Sequence, residues 1–184
     1  MSSVQLMMEE HQNILRMSRV MRQACLQILE TKELSFDDFG AMIDFIRGYA
    51  DAHHHGKEEK FMFKEMQEHL GKIGTNLITH GMLVEHDLGR LHMQELLLAL
   101  ESVKAGEGEK LLDVIAHTIS YTHLIERHIK KEDELVYPYG EKNLPSEIML
   151  SINRLSTSYE KEAEEKGVQE KYLKVLEDLE TKYL

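Results

Sequence analysis

Apolar residues recur along the chain at intervals of three and four, the spacing that puts side chains on one face of an α-helix. In the first segment they fall at Val4, Met7, Met8, Ile14, Leu15, Met21, Cys25 and Ile28, predicting a helix from about Ser3 to Glu30. Residues 31–34 break it. Ser35 with Asp38 reads as a capping box opening a second helix that reaches about Leu70. Gly71 and Gly74 punctuate, Thr75 or Asn76 can cap a third helix running to about Lys104, and Ala105-Gly106-Glu107-Gly108 reads as a loop. A fourth helix starts near Glu109 and is expected to stop near Tyr137, because Pro138 lacks the amide proton that an interior position donates. Pro145 and Ser146 open a shorter fifth helix ending near Gly167, and Tyr172, Leu173, Val175, Leu176 and Leu179 mark a sixth from Val168. No stretch alternates with the period of a strand. The pattern predicts an all-α chain: an antiparallel up-down four-helix bundle over residues 1–140, with a short helical C-terminal extension, 141–184, packed on it.

Charge and cysteine usage narrow the partners. A formal net charge of −11 argues against nucleic acid, whose phosphates require a basic face. The single cysteine, Cys25, has no internal disulfide partner and lies on an apolar stripe, so it is expected to be a core thiol. No apolar run approaches the roughly 20 residues that span a bilayer. The acidic start at Glu9 and Glu10 is unlike a signal peptide. The expected location is cytoplasmic, with no membrane partner.

Histidine changes the picture further. Eleven are present, one run reading His53-His54-His55, and several interrupt otherwise apolar helix faces. His11 lies on the line Val4, Met7, His11, Leu15, and His86 on Ile78, Met82, His86, Gly89, Met93. The fourth helix runs Thr118, Tyr121, Ile125, His128, Glu132, Leu135. A titratable group on a buried stripe is costly unless it is paired or bound to a metal. The second helix offers two registers. The apolar one, Phe45, Gly48, Ala52, His55, Glu59, Met62, selects His55 and Glu59 as inward residues. An internal echo, His54-His55-Gly-Lys-Glu58-Glu59 against His128-Ile-Lys-Lys-Glu132-Asp133, aligns His54 and Glu58 instead. Histidine and carboxylate one turn apart on facing helices are the means by which a bundle holds two metal ions, a carboxylate bridging them. The predicted metal-ligating set is therefore His11, His55, Glu59, His86, His128 and Glu132, with Glu58 able to touch a second metal from the edge of the stripe and His54 with Glu58 left open as replacements or additions.

With those residues in place, the chain resembles the hemerythrin-like, HHE cation-binding family. The resemblance is carried by Glu10-His11, by His54-His55-Gly-Lys-Glu58-Glu59 with Met62-Phe63, by Glu85-His86-Asp87-Leu-Gly-Arg90, and by His128-Ile-Lys-Lys-Glu132-Asp133 with Val136-Tyr137-Pro138. It covers about residues 4 to 140. It implies two iron ions in a non-haem, carboxylate-bridged di-iron centre at the middle of the bundle. Oxygen-carrying members have a second histidine four residues before the one matching His86; here that position is Met82. They also place the last carboxylate five after its histidine, which would select Asp133 rather than Glu132. The pattern is closer to the sensor and repair branches of the family. The expected function is binding or sensing of a small molecule such as O2, NO or peroxide, with Tyr121 available to steer protons. The alternatives are a di-iron oxidase, peroxidase or nitrosative-stress repair enzyme, and a regulatory bundle whose metal is structural.

Overall fold

The computed structural model describes residues 1–184, which form six helices and no strand. They are α1 (Ser3–Thr31), α2 (36–69), α3 (71–104), α4 (111–143), α5 (Ser146–Glu165) and α6 (Val168–Tyr183). Ser2 starts α1 through a capping box with Gln5, and Ser35 caps α2 by accepting the Asp38 amide.

Two boundaries differ from the sequence expectation. First, α3 begins at Gly71 rather than at a Thr75 or Asn76 cap. Leu70 alone breaks the path, and Gly71 turns the chain in the left-handed region at φ 58°. The turn is tight: a Cβ on Gly74 would lie 2.4 Å from the Met66 carbonyl oxygen. Second, α4 does not stop at Tyr137 but continues to Asn143. A wide π-helical turn, Glu132–Val136, ends just before the proline. Pro138 therefore stands at the start of a fresh α-segment, where its missing N–H leaves no bond unmade.

Similar wide turns interrupt α2 at Ile46–His55 and Glu58–Met62, and α3 at Ile78–Met82. Each bonds i to i+5 and so takes up more residues than an α-turn, rotating everything downstream about the helix axis. The apolar stripe extrapolated through α2 at 3.6 residues per turn consequently drifts off the buried face.

The core divides into two apolar clusters. The larger contains Ile14, Met17, Phe45, Ile46, Tyr49, Met93, Leu96, Tyr121 and Ile125; the smaller contains Val4, Met7, Met62, Phe63, Met66, Ile78, Met82, Val136 and Tyr137. Between them every one of the first four helices buries polar residues: Glu10 and His11 on α1, His53, His54, His55 and Glu58 on α2, His86 on α3, His128 and Glu132 on α4. The chain passes the smaller cluster first on α1 and α3 and the larger first on α2 and α4. Packing runs α1 on α4, α4 on α3, and α2 against both α1 and α3.

The last two helices join the same interior. From α5, Ile152 enters the smaller cluster, and from α6, Tyr172, Leu176 and Leu179 enter the larger one. Arg16 on α1 holds Glu180 through two bonds, Nε to Oε1 at 2.9 Å and Nη2 to Oε2 at 2.5 Å. Leu176 is fully buried. Leu176→Ala should therefore cost about 2–5 kcal/mol of whole-chain stability, by loss of transfer energy and creation of a cavity. Denaturant unfolding followed by circular dichroism checks this; an unchanged midpoint would show that the tail does not share the core.

Candidate metal centre

The polar layer gathers two groups of donor atoms, the atoms of each lying within 4.8 Å of one another. One group is His55, Glu58, His86 and His128; the other is His11, His54, Glu58 and Glu132. Glu58 belongs to both. Glu132 also spans them, its Oε2 3.3 Å from His11 Nε2 and its Oε1 3.0 Å from His128 Nε2. Both carboxylates are fully buried.

The orientation of the five histidines follows from their other nitrogen. Every one places Nδ1 against a carboxylate: His11 on Asp133 at 2.8 Å, His54 on Glu10 at 2.8 Å, His55 on Asp51 at 3.3 Å, His86 on Glu59 at 2.7 Å and His128 on Glu85 at 2.9 Å. A carboxylate at Nδ1 accepts that ring proton, fixes the tautomer and leaves Nε2 as the inward lone pair. Four of the pairs pass from helix to helix around a closed circuit. Glu10 of α1 serves α2, Glu59 of α2 serves α3, Glu85 of α3 serves α4, and Asp133 of α4 serves α1. Cations anchor the outer carboxylates in turn: Lys57 pairs with Glu10, Arg90 with Glu59 and Asp51, and Lys131 with Glu85.

The inward atoms do not satisfy one another. His54 Nε2, His55 Nε2, Glu58 Oε2 and both Glu132 oxygens are buried without a hydrogen-bond partner. His86 Nε2 and His128 Nε2 face each other at 3.1 Å. Leaving one such group unpaired costs about 1–3 kcal/mol, so a cluster of them in one layer is a strong demand for a cation. The donors present, imidazole nitrogen and carboxylate oxygen, suit a divalent transition metal.

A family model described as the hemerythrin HHE cation binding domain matches residues 2–140. The chain belongs to this family. A search of curated proteins and a search of solved structures each returned no match.

Of the residues singled out in sequence, this HHE domain brings His11, His55, His86, His128 and Glu132 into the cluster. Glu59 is displaced from it. Its carboxylate lies outside both donor groups, partly exposed, accepting from His86 Nδ1 and from Arg90 Nη2 at 2.7 Å. Glu58 takes the inward place, and His54 comes with it. The cause is the pair of π-helical turns in α2, which rotate both His54 and His55 inward and exchange the two glutamates. Met82 packs in the smaller apolar cluster, and His55 from α2 supplies the third imidazole opposite His86, their rings stacked 3.7 Å apart.

Two tyrosines flank the layer. Tyr137, which the sequence marks only within the Val136-Tyr137-Pro138 match, donates from its hydroxyl to Glu58 Oε1 at 2.5 Å and stacks on the His11 ring at a centroid distance of 5.6 Å. The hydroxyl of Tyr121 is buried and without a partner. Beside the layer, Lys57 is buried between Glu10 and Glu160, the latter from α5, and so ties the tail to the carboxylate that orients His54. The His53 ring shares these two carboxylates at 3.0 and 3.2 Å.

Protonation in the metal-free domain follows from these contacts. Burial opposes charge on His11, but Asp133 and Glu132 outweigh it and raise its pKa to about 9. Burial likewise opposes charge on His128, and Glu132 and Glu85 raise it to about 10. Glu58 is raised by burial and by the neighbouring Glu132 charge, while Glu132 keeps its charge because the histidines around it outweigh its burial. His54 is lowered to about 4 by burial and by the charge on His11. The raised histidines stabilise the metal-free fold fully below their unfolded pKa near 6.5, and that stability is lost as pH rises through 9 to 10. A metal must instead displace those protons, so its binding strengthens over the same range. Melting curves between about pH 7 and about pH 9.5 should show the metal-free Tm falling while the gap to the metal-loaded Tm widens. A metal-free Tm that rises with pH would contradict these assignments.

Proposed function

We propose that this HHE domain holds two iron ions and uses them to bind or sense a small molecule such as O2, NO or peroxide. One observation carries the reading: two histidine groups share Glu58, are spanned by Glu132, and present buried donor atoms that have no protein partner. His55, His86 and His128 would hold one ion, His11 and His54 the other, with Glu58 and Glu132 bridging. The alternation of the two apolar clusters along successive helices supports an antiparallel up-down bundle for α1 to α4, with α5 and α6 as its extension. No helix is long and apolar enough to cross a membrane, and the acidic composition does not suit nucleic acid; a cytoplasmic setting is the reading we adopt.

The two sides are unequal. The side of His11 and His54 offers fewer protein donors and therefore more room for an exogenous ligand, and the Tyr137 hydroxyl stands beside it. Iron at such a side supplies ligand binding and one-electron chemistry. The protein's own part is to hold the imidazoles still, to exclude water with the apolar clusters above and below, and to keep the Tyr137 hydroxyl donating to Glu58.

Anaerobic addition of Fe(II) should leave two irons per chain after desalting, one for each donor group, and exposure to air or NO should then generate visible absorption. Retention of no iron, or no spectral response to any of the three molecules, would reject the reading. Catalytic consumption of peroxide or NO would favour an enzyme over a sensor, and identical melting of loaded and metal-free protein would exclude a structural metal.

The glutamate pair gives a sharper test. Glu58→Ala should abolish binding of the second equivalent, while Glu59→Ala should keep both ions and weaken binding about 10–100-fold, the usual effect of removing a ligand's orienting partner. Metal content by mass spectrometry decides; the reverse order would restore Glu59 as the ligand.

A further inference from the structure

The buried residues of the regular α-helical stretch Leu83–Lys104 in α3 are His86, Gly89, Met93, Leu96, Ala99 and Leu100. At about 100° per residue, the opposite face carries Val84, Leu88, Leu91 and Leu98, exposed at 45, 41, 47 and 49%. Glu95 stands between the last two. The intervals are four, three, four and three. That alternation is the seam along which one helix packs against another, and an outer face meant for water has no use for it. Single exposed leucines are ordinary, but a continuous stripe of them marks an interaction surface. We propose that a second copy of this chain docks on this face, the two α3 helices lying antiparallel about a two-fold axis.

The residues on and beside the seam choose this occupant. A two-fold interface uses the same patch twice, so the patch must be complementary to itself. In an antiparallel pair centred between Leu88 and Leu91, each Leu88 meets the second copy's Leu91, and each Val84 meets its Glu95. Beside the seam, Asp87 then faces Gln94 and Glu85 faces His92, so that a residue with an N–H to donate stands opposite each carboxylate.

Other arrangements of the same two helices set like charges together, which is unfavourable. The seam superposes on itself again only after seven residues. Sliding seven residues one way puts Asp87 on Asp87 and Glu85 on Glu85. Sliding the other way puts Asp87 on Glu101 and Leu91 on Glu95. A parallel pair sets Glu95 against Glu95. One register alone joins leucine to leucine without a repulsive pair. Four half-exposed side chains per copy make a small interface, in the class below about 1,200 Å² in total that weak pairs occupy. The dimer is therefore concentration-dependent. None of this depends on the metal reading.

Sedimentation velocity of the full chain tests it between about 10 μM and about 1 mM, the range of weak association. The salt is set near 0.15 M, which screens repulsion beyond about 8 Å between chains of charge −11. A shift from monomer to dimer and no further is expected. The double variant Leu88→Lys with Leu91→Lys should weaken association at least about tenfold, since it places cations on cations. Both side chains are exposed, so its circular dichroism should not change. Val84→Lys gives the register: opposite the second copy's Glu95 it should strengthen the dimer several-fold, whereas every other arrangement predicts weakening. A chain that stays monomeric throughout, species that grow beyond the dimer, a dimer indifferent to the double variant, or a dimer weakened by Val84→Lys would overturn the proposal.

Discussion

Each inward histidine gives Nδ1 to a carboxylate, and four of those carboxylates come from the adjoining helix. This exchange dictates much of the rest. It sets five imidazole rings with their lone pairs toward one centre, and it locks α1 to α2, α2 to α3, α3 to α4 and α4 back to α1. The circuit is built from doublets: Glu10-His11, Glu58-Glu59, Glu85-His86 and Glu132-Asp133. In each, one residue points into the layer and its neighbour reaches sideways to the next helix. Consecutive residues on a helix are separated by about 100°, which is the angle such a division of labour needs. The apolar clusters on either side then seal a polar layer that would be unaffordable if its members were not held this tightly.

The π-helical turns are the second constraint. Ordinary α-geometry cannot bury three consecutive residues on one face, yet His53, His54 and His55 are all buried. The wide turns in α2 spread these side chains over a broader inward arc. His53 and His54 meet the Glu10 carboxylate, and His55 reaches His86. The same widening on α4 places Glu132 inward and Asp133 sideways, and it lets the helix pass Pro138 unbroken. Wide turns are energetically poorer than α-turns, and their concentration beside the donor groups is what a site imposing its own geometry on its helices would produce.

Much of this was legible in the chain. Six helices follow from the apolar spacing and the glycine and proline punctuation, and the histidines on apolar stripes single out four of the five imidazoles. The departures have one origin. Extrapolating 3.6 residues per turn through α2 preferred Glu59, which lies outside both donor groups, and left His54 and Glu58 as the alternative, because nothing in residue types announces a π-turn. The only signal was the echo between His54…Glu58 and His128…Glu132. It picks out the pair that lies inward, since repeated spacing reflects shared geometry while a stripe reflects an assumed one. The Nδ1 partners were not legible at all: they depend on which face each doublet turns to its neighbour, a property of packing rather than of periodicity.

The two ends of the proposed centre are therefore prepared for different tasks. On one side Tyr137 stacks on His11 and donates to Glu58, so a ligand arriving there would meet a proton already committed to the carboxylate proposed to bridge. On the other, the Tyr121 ring lines a cavity beside Gly89, and its hydroxyl is buried without a partner. Asp51 is bound to His55 and Arg90, which holds a third imidazole in place. One carboxylate thus orients a ring of the proposed centre and anchors the arginine beside the cavity, so the centre and the cavity wall share a residue.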